Sequence, residues 1–479
     1  MNFFVAGSAW HVVRLCCCLL FVGLPPSAFG QDVAPATARV TVLHSFGPPV
    51  GAELDDTRIP YAPLLLASDG MLYGLGSAGP STSSRGALYR CDLDGGNYEL
   101  TLHFDDTDGR IPQSGLLEGT DGKLYGTAPF GNSAGKFGMV FSVEKNGSGY
   151  TTLHSFTNTP DGANPSAGLI EGPQGFLYGV TEKGGTNQVG TVFRITKDGS
   201  VHQVLYHFRS TGADGKRPFH SLILGDNGRL YGTTFSGGAM EGGTVFSVLP
   251  DGSDYHQLHS FGSTSLDGLS PSGPLLELGG FLYGTTSVGG QRGHGTVYRL
   301  RTDGTAYETL HRFQGPPLDG HSPYGRLVQG FDGQLYGTTL QGGAADVGTV
   351  YQWRVEDASY ALAWSFARSI VQGQLPQSGL IQGPAGELYG TTTGGGGFGS
   401  GTVYQFNPPV SISAQLRGAE WILEWPANGL NYQVMAADSL VGPDNWLDVG
   451  ATVELNGHVH RARFPSTLTS RFFRLQFSE

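Results

Sequence analysis

Three landmarks that recur at a near-constant step predict an all-β chain: a seven-bladed β-propeller closed by an N-terminal strand, followed by a small β-sandwich. The first landmark is Leu-Tyr-Gly, at Tyr73, Tyr125, Tyr178, Tyr231, Tyr283, Tyr336 and Tyr389, in steps of 52 or 53 residues. The second is mostly Gly-Thr-Val-Phe/Tyr and ends 15 or 16 residues later, at Tyr89, Phe141, Phe193, Phe246, Tyr298, Tyr351 and Tyr404. The third, mostly Leu-His-Ser-Phe, ends 15 residues after that, at Phe104, Phe156, Phe208, Phe261, Phe313 and Phe366. An extra copy of the third, Leu43-His44-Ser45-Phe46, stands alone ahead of the first repeat. Self-similarity at a period of this size marks a repeat architecture. The 77 glycines and the low charged fraction of 14% suit short strands joined by tight turns, not helices.

Each period reads as four strands, named a to d here. In the third copy, Ser166 to Glu171 is strand a and Gly172 to Gly175 a turn. Phe176 to Thr181 is strand b, carrying Leu-Tyr-Gly. A glycine-rich loop through Gly184-Gly185 and Gly190 leads to strand c, Thr191 to Thr196. Lys197-Asp198-Gly199 is a hairpin turn into strand d, Val201 to Phe208. Asp-Gly between two alternating apolar runs is a strong hairpin signal, because glycine supplies the positive φ that such turns need. Four antiparallel strands in about 50 residues describe a propeller blade. The last period stops at strand c, Gly401 to Phe406, while Val40 to Phe46 is a spare strand d. Pairing the two would join the first and last blades and leave no open edge. The spacing agrees: Phe46 to Pro60 spans 14 residues, against 8 to 10 in the other six connectors.

Outside the repeats the texture changes. Arg14, the apolar run Leu15 to Leu24 and the small-x-small site Ala28-Phe29-Gly30 read as a secretory signal over residues 1–30. The run is too short for the roughly 20 apolar residues of a membrane span. Cleavage would remove Cys16, Cys17 and Cys18 and leave only Cys91, so no intrachain disulfide is expected. The propeller is expected over 38–408. The tail, 410–479, carries Trp421, Trp425, Tyr432, Trp446 and a hairpin signal at Asn456-Gly457, as a small β-sandwich would. The net charge of -12 argues against nucleic acid or an anionic membrane as partner.

The pattern Leu-Tyr-Gly-Thr-Thr, Gly-Gly, Gly-Thr-Val-Phe resembles the Gloeo-Verruco tandem repeat of secreted bacterial proteins, over roughly residues 40 to 406. The resemblance implies an exported bacterial protein at the cell surface or outside the cell. Members of that family often carry a C-terminal anchoring signal, and the ending Phe-Ser-Glu lacks an apolar tail and basic stop. The tail itself resembles a fibronectin-III-like module. Neither resemblance supplies a catalytic residue or a substrate.

Candidate functional residues come from departures within the frame. The seven tyrosines and the histidines His44, His154, His259 and His311 repeat as packing residues do, and Tyr206 and Trp364 share the histidine register. Asp56, Asp108, Asp161, Asp214, Asp267 and Asp319 each lie four residues before a proline, with Gln372 in the seventh copy. They read either as an acidic ring for polyhydroxylated ligands or as turn carboxylates bonding nearby amides. The residue after each proline varies: Tyr61, Gln113, Ser166, Phe219, Ser272, Tyr324 and Gln377. Tyr61, Phe219 and Tyr324 could stack on sugar rings or fill seams between blades. No Gly-x-Ser-x-Gly elbow, His-Glu-x-x-His or phosphate-binding loop occurs. His458 and His460 lack a carboxylate or third ligand for a metal. The reading is an exported, monomeric, non-catalytic binding or cell-surface interaction protein, without cofactor or metal. Its ligand would be a glycan or extracellular protein on the face formed by the d-to-a and b-to-c loops. A hydrolase or lyase acting on extracellular polysaccharide and a structural envelope component are the alternatives.

Overall fold

The computed structural model describes residues 20–21, 38–47, 56–78, 85–105, 108–131, 137–355 and 357–410. In the tail it describes 413–417, 420–426, 432–437, 447–448, 451–456, 459–465 and 472–477. The expected export segment, 1–30, lies outside these residues apart from Leu20–Phe21, which pair with Phe472 and Phe473. The chain is all-β and built from many small antiparallel sheets. No helix among the described residues is long and apolar enough to cross a membrane.

The third repeat shows the plan. Its strands are Ile170–Glu171, Leu177–Thr181, Thr191–Ile195 and His202–His207, hydrogen-bonded in that order. Strand a is two residues long, not the six expected. Ser166 to Leu169 follow Pro165, which donates no backbone hydrogen bond, and belong to no strand. The order a-b-c-d recurs in seven sheets. In the seventh, Ile381–Gln382, Leu388–Thr392 and Thr402–Asn407 come from the last repeat, and the outer strand is Arg39–Ser45. The Phe46 amide continues that edge by donating to Gly401 O at 3.0 Å.

The glycine of Leu-Tyr-Gly has a local cause. A Cβ on Gly126, Gly179 or Gly232 would lie 2.5, 2.6 or 2.5 Å from the ring tip of Phe141, Phe193 or Phe246. The strand-c aromatic lies across the strand-b backbone, and only glycine leaves room for it. The tyrosines before these glycines are buried, and Tyr73, Tyr125 and Tyr336 donate to Asp69, Asp121 and Asp332 at 2.8, 2.7 and 2.6 Å. Strands b and c are buried along their length, whereas strands d are half-buried.

The core lies between neighbouring repeats. Phe208 and Val192 of the third repeat pack with Leu230, Phe246 and Val248 of the fourth. Tyr231 and Phe261 of the fourth pack with Leu282 and Tyr298 of the fifth. Tyr389 and Val403 of the seventh, with Phe46, pack in the same way on Leu64, Leu72 and Tyr89 of the first. Hydrogen bonds repeat the relation. Thr127 Oγ1 donates to Ala167 O at 2.9 Å and Thr338 Oγ1 to Ser378 O at 2.9 Å, each one repeat ahead. Thr391 Oγ1, at the equivalent place, donates to Ala62 O at 3.3 Å.

Two compact units are present: one of 40–383 with 387–406, and a smaller one carrying 407–479. In the latter, Ser413–Arg417, Glu420–Pro426, Val459–Pro465 and Thr452–Asn456 form one sheet in that order. Phe472–Phe477, Tyr432–Ala437 and Leu447–Asp448 belong to a second. Leu423, Trp425, Val434 and Ala462 are buried, and His460 stacks on Trp425. His458 lies outside the described residues.

Candidate functional site

One cavity of about 560 Å³ is lined by corresponding segments of all seven repeats. Each segment reads Pro-x-x-x-Leu and leads into the short strand a. Its proline is buried and the next residue half-exposed in six repeats, so the variable residue turns inward along an extended backbone of period two. Tyr61, Gln113, Ser166, Phe219, Tyr324 and Gln377 all line the cavity. Ser272, the seventh of the set, does not: it is fully buried, and its hydroxyl donates to Pro323 O in the next repeat.

The aspartates sit elsewhere. None of Asp108, Asp161, Asp214, Asp267 and Asp319 lines the cavity. In four of them the carboxylate closes the turn out of strand d. Asp161, Asp214, Asp267 and Asp319 accept backbone amides of Thr157, Arg209, Gly262 and Gln314 at 3.0, 3.0, 2.9 and 2.7 Å. Asp56 accepts Gly47 N at 3.1 Å in the same way. Gln372 takes the seat in the last repeat, its Oε1 accepting Ala367 N at 3.3 Å, so the position asks for an oxygen and not for a charge. Asp108 receives its contact on the main chain, where Tyr150 donates to the Asp108 carbonyl at 2.5 Å. The aspartate and the variable residue are five apart in extended chain, which covers up to roughly 17 Å. The connector crosses from the outer strand of one sheet to the inner strand of the next, and its two ends serve different regions.

The outer ends form a polar and aromatic seam between repeats. His44, His154 and His311 place Nε2 at 3.0, 2.9 and 3.0 Å from Asp56, Asp161 and Asp319. Tyr98, Tyr255 and Tyr307 of the following repeat donate to Asp56, Asp214 and Asp267 at 2.5, 2.8 and 2.6 Å. Burial raises the Asp161 pKa, but hydrogen bonds from Thr157 and His154 outweigh it and hold the carboxyl below its ordinary value. Among the described residues, no three His, Cys, Asp or Glu side chains converge as a metal site requires.

Two residues of the cavity escaped the sequence reading, His220 and Arg326. At the second position after the proline the other repeats hold Ala62, Ser114, Ala167, Gly273, Gly325 and Ser378. At the third they hold Pro63, Gly115, Gly168, Ser221, Pro274 and Gly379. Each substitution breaks a run of six small residues, a signal that alignment of the seven Pro-x-x-x-Leu segments carries. Burial holds the His220 imidazole down at about 4, so it is neutral at pH 7. Desolvation by the walls lowers the Arg326 pKa, although its side chain remains solvent-exposed inside the cavity. Among the described residues, the lining contains no Asp or Glu.

No curated protein matches the chain in sequence. Among solved structures, a nidogen/laminin complex aligns at 14% identity with a TM-score of 0.38, covering 58% of this chain and 89% of that one. A fungal alcohol oxidase of the AA5 family in complex with copper aligns at 11% identity with a TM-score of 0.49, covering 90% and 99%. The repeats themselves match over residues 31–239 and 218–417, and on that match the chain belongs to the Gloeobacter/Verrucomicrobia repeat family.

Proposed function

We propose that the seven sheets are the blades of a β-propeller closed by Arg39–Ser45, and that the protein is an exported binding protein holding an extracellular glycan in the central cavity. One observation carries the reading: the variable residue that follows the proline of each repeat lines a single cavity in six of seven repeats. Variation at a fixed place in a regular frame is where specificity is written. The cavity volume lies within the range of small-molecule sites. Tyr61, Phe219 and Tyr324 offer flat apolar faces for sugar rings, and Gln113, Ser166 and Gln377 offer hydrogen bonds to hydroxyls. Closure is supported by the packing of the seventh repeat on the first, which uses the same residues and hydrogen bonds as the inner seams. Most glycoside hydrolases use a pair of carboxylates, and the described lining residues supply none, which favours binding. The two sheets of the tail support a separate β-sandwich module.

The test is a glycan array on the purified protein, with product analysis. The triple variant Tyr61→Ala/Phe219→Ala/Tyr324→Ala should lose retention on its ligand and keep the wild-type melting temperature, since all three side chains are half-exposed. Retention that survives the triple change, or that maps to the tail, would overturn the assignment to the cavity. Cleaved or unsaturated products would make the protein an enzyme instead.

A further inference from the structure

We propose that Arg326 fits the cavity to a negatively charged sugar residue, a uronate, in preference to a neutral one. The inference deepens the glycan reading above and rests on it. Arg326 has no hydrogen bond or ion pair among the described residues, and no lining residue is acidic. In a protein of net charge -12 the cavity thus holds a lone guanidinium. Its place in the repeat gives it no packing duty, because the other six repeats fill that position with Pro, Gly or Ser.

The exposed guanidinium, with no counter-charge among the described lining residues, is open to pairing with an incoming anion. The planar guanidinium matches a carboxylate through two parallel N–H···O bonds. The other lining group that could carry positive charge, His220, is neutral at pH 7, so the site presents one positive charge and suits a monoanion. The aromatic faces of Tyr61, Phe219 and Tyr324 would take the rings of the same chain, whose remaining atoms are hydroxyls. One carboxylate on a polyhydroxylated ring is the chemistry of a uronic acid.

Isothermal titration of the full-length protein with oligogalacturonate and with its fully methyl-esterified, uncharged form tests this. The acid should bind more tightly than the ester. Arg326→Gln should weaken the acid by about tenfold to a hundredfold, bringing it to the level of the ester, while Arg326→Lys retains part of the preference. Increasing salt should weaken the acid and leave the ester unaffected. Melting temperatures should match the wild type, because the Arg326 side chain bonds to nothing that would be left unpaired. Equal binding of acid and ester, with Arg326→Gln silent, overturns the charge preference and leaves the glycan site standing. Failure of both probes while a neutral glycan is retained on the array has the same consequence. Retention of no glycan at all overturns the parent reading as well.

Discussion

At the scale of single residues, His202 stands where Tyr98, Tyr255 and Tyr307 stand in other repeats, and keeps their stacking without their hydroxyl. Tyr98 stacks on His44, Tyr255 on Tyr206 and Tyr307 on His259, with ring centroids 3.7, 3.9 and 3.7 Å apart. His202 stacks on His154 at 3.8 Å in the same arrangement. It brings no hydroxyl to Asp161, and its Nε2 is buried without a partner among the described residues. Burial, with His154 against it, lowers the His202 pKa to about 4, and the nearby Asp161 only partly opposes this. The folded pKa is below the unfolded one, so unfolded chain takes up the proton first as pH falls. Stability is therefore intact above about 6.5 and declines as the pH drops from there toward 4. His202→Tyr should remove this contribution and add a hydrogen bond to the Asp161 carboxylate, a gain of about 1.5 kcal/mol at pH 7. Thermal melts at pH 7.5 and pH 5 check it, and an unchanged pH dependence in the variant would refute the argument. The histidine register was legible in the sequence as packing because Tyr206 and Trp364 replace histidine there. The identity of its partner was not, since the stacking ring comes from the following repeat.

At the scale of elements, the strand Arg39–Ser45 is the informative one. The odd count of strands predicted its pairing with the last repeat, and Thr402–Asn407 is the strand it joins. Deleting residues 31–47 uncovers that strand's edge and removes Phe46, which is fully buried against Tyr89. Loss of one such buried aromatic alone costs about 3–5 kcal/mol. The truncated protein should melt well below the full chain by calorimetry; coincident melting curves would refute closure through this strand. Strand a was less legible. Ser166 to Glu171 alternates as a strand does, but only Ile170–Glu171 pairs, because the residues before it line the cavity. The periodicity was read correctly as extended backbone, and it could not say whether a hydrogen-bonding neighbour lay alongside. The connectors show the same limit: Asp161 and Ser166 are close in sequence, yet one closes an outer turn and the other faces the cavity.

At the scale of the whole molecule, the repeat period announced an all-β chain, and a change of texture after Pro409 is the ground for expecting a second module. Limited proteolysis should cut first between residues 407 and 412 and leave the repeat region folded. A first cut inside the repeats, seen by mass spectrometry of the fragments, would count against two independent units. What regularity in the sequence hid was its own exceptions. Seven similar copies draw attention to what they share, whereas Arg326 and His220 matter because they differ from the other six. The pairing of the first strand of the repeat region with its last also orders events in time. Each of the first six sheets can be completed by chain that lies close in sequence, as soon as it is made. The strand Arg39–Ser45 is made first and must wait, with its backbone donors and acceptors unsatisfied, until Thr402–Asn407 follows. Closing so long a loop is slow, and an idle strand edge pairs readily with other chains. Until that later strand is made, the edge of Arg39–Ser45 is open to pairing with other chains.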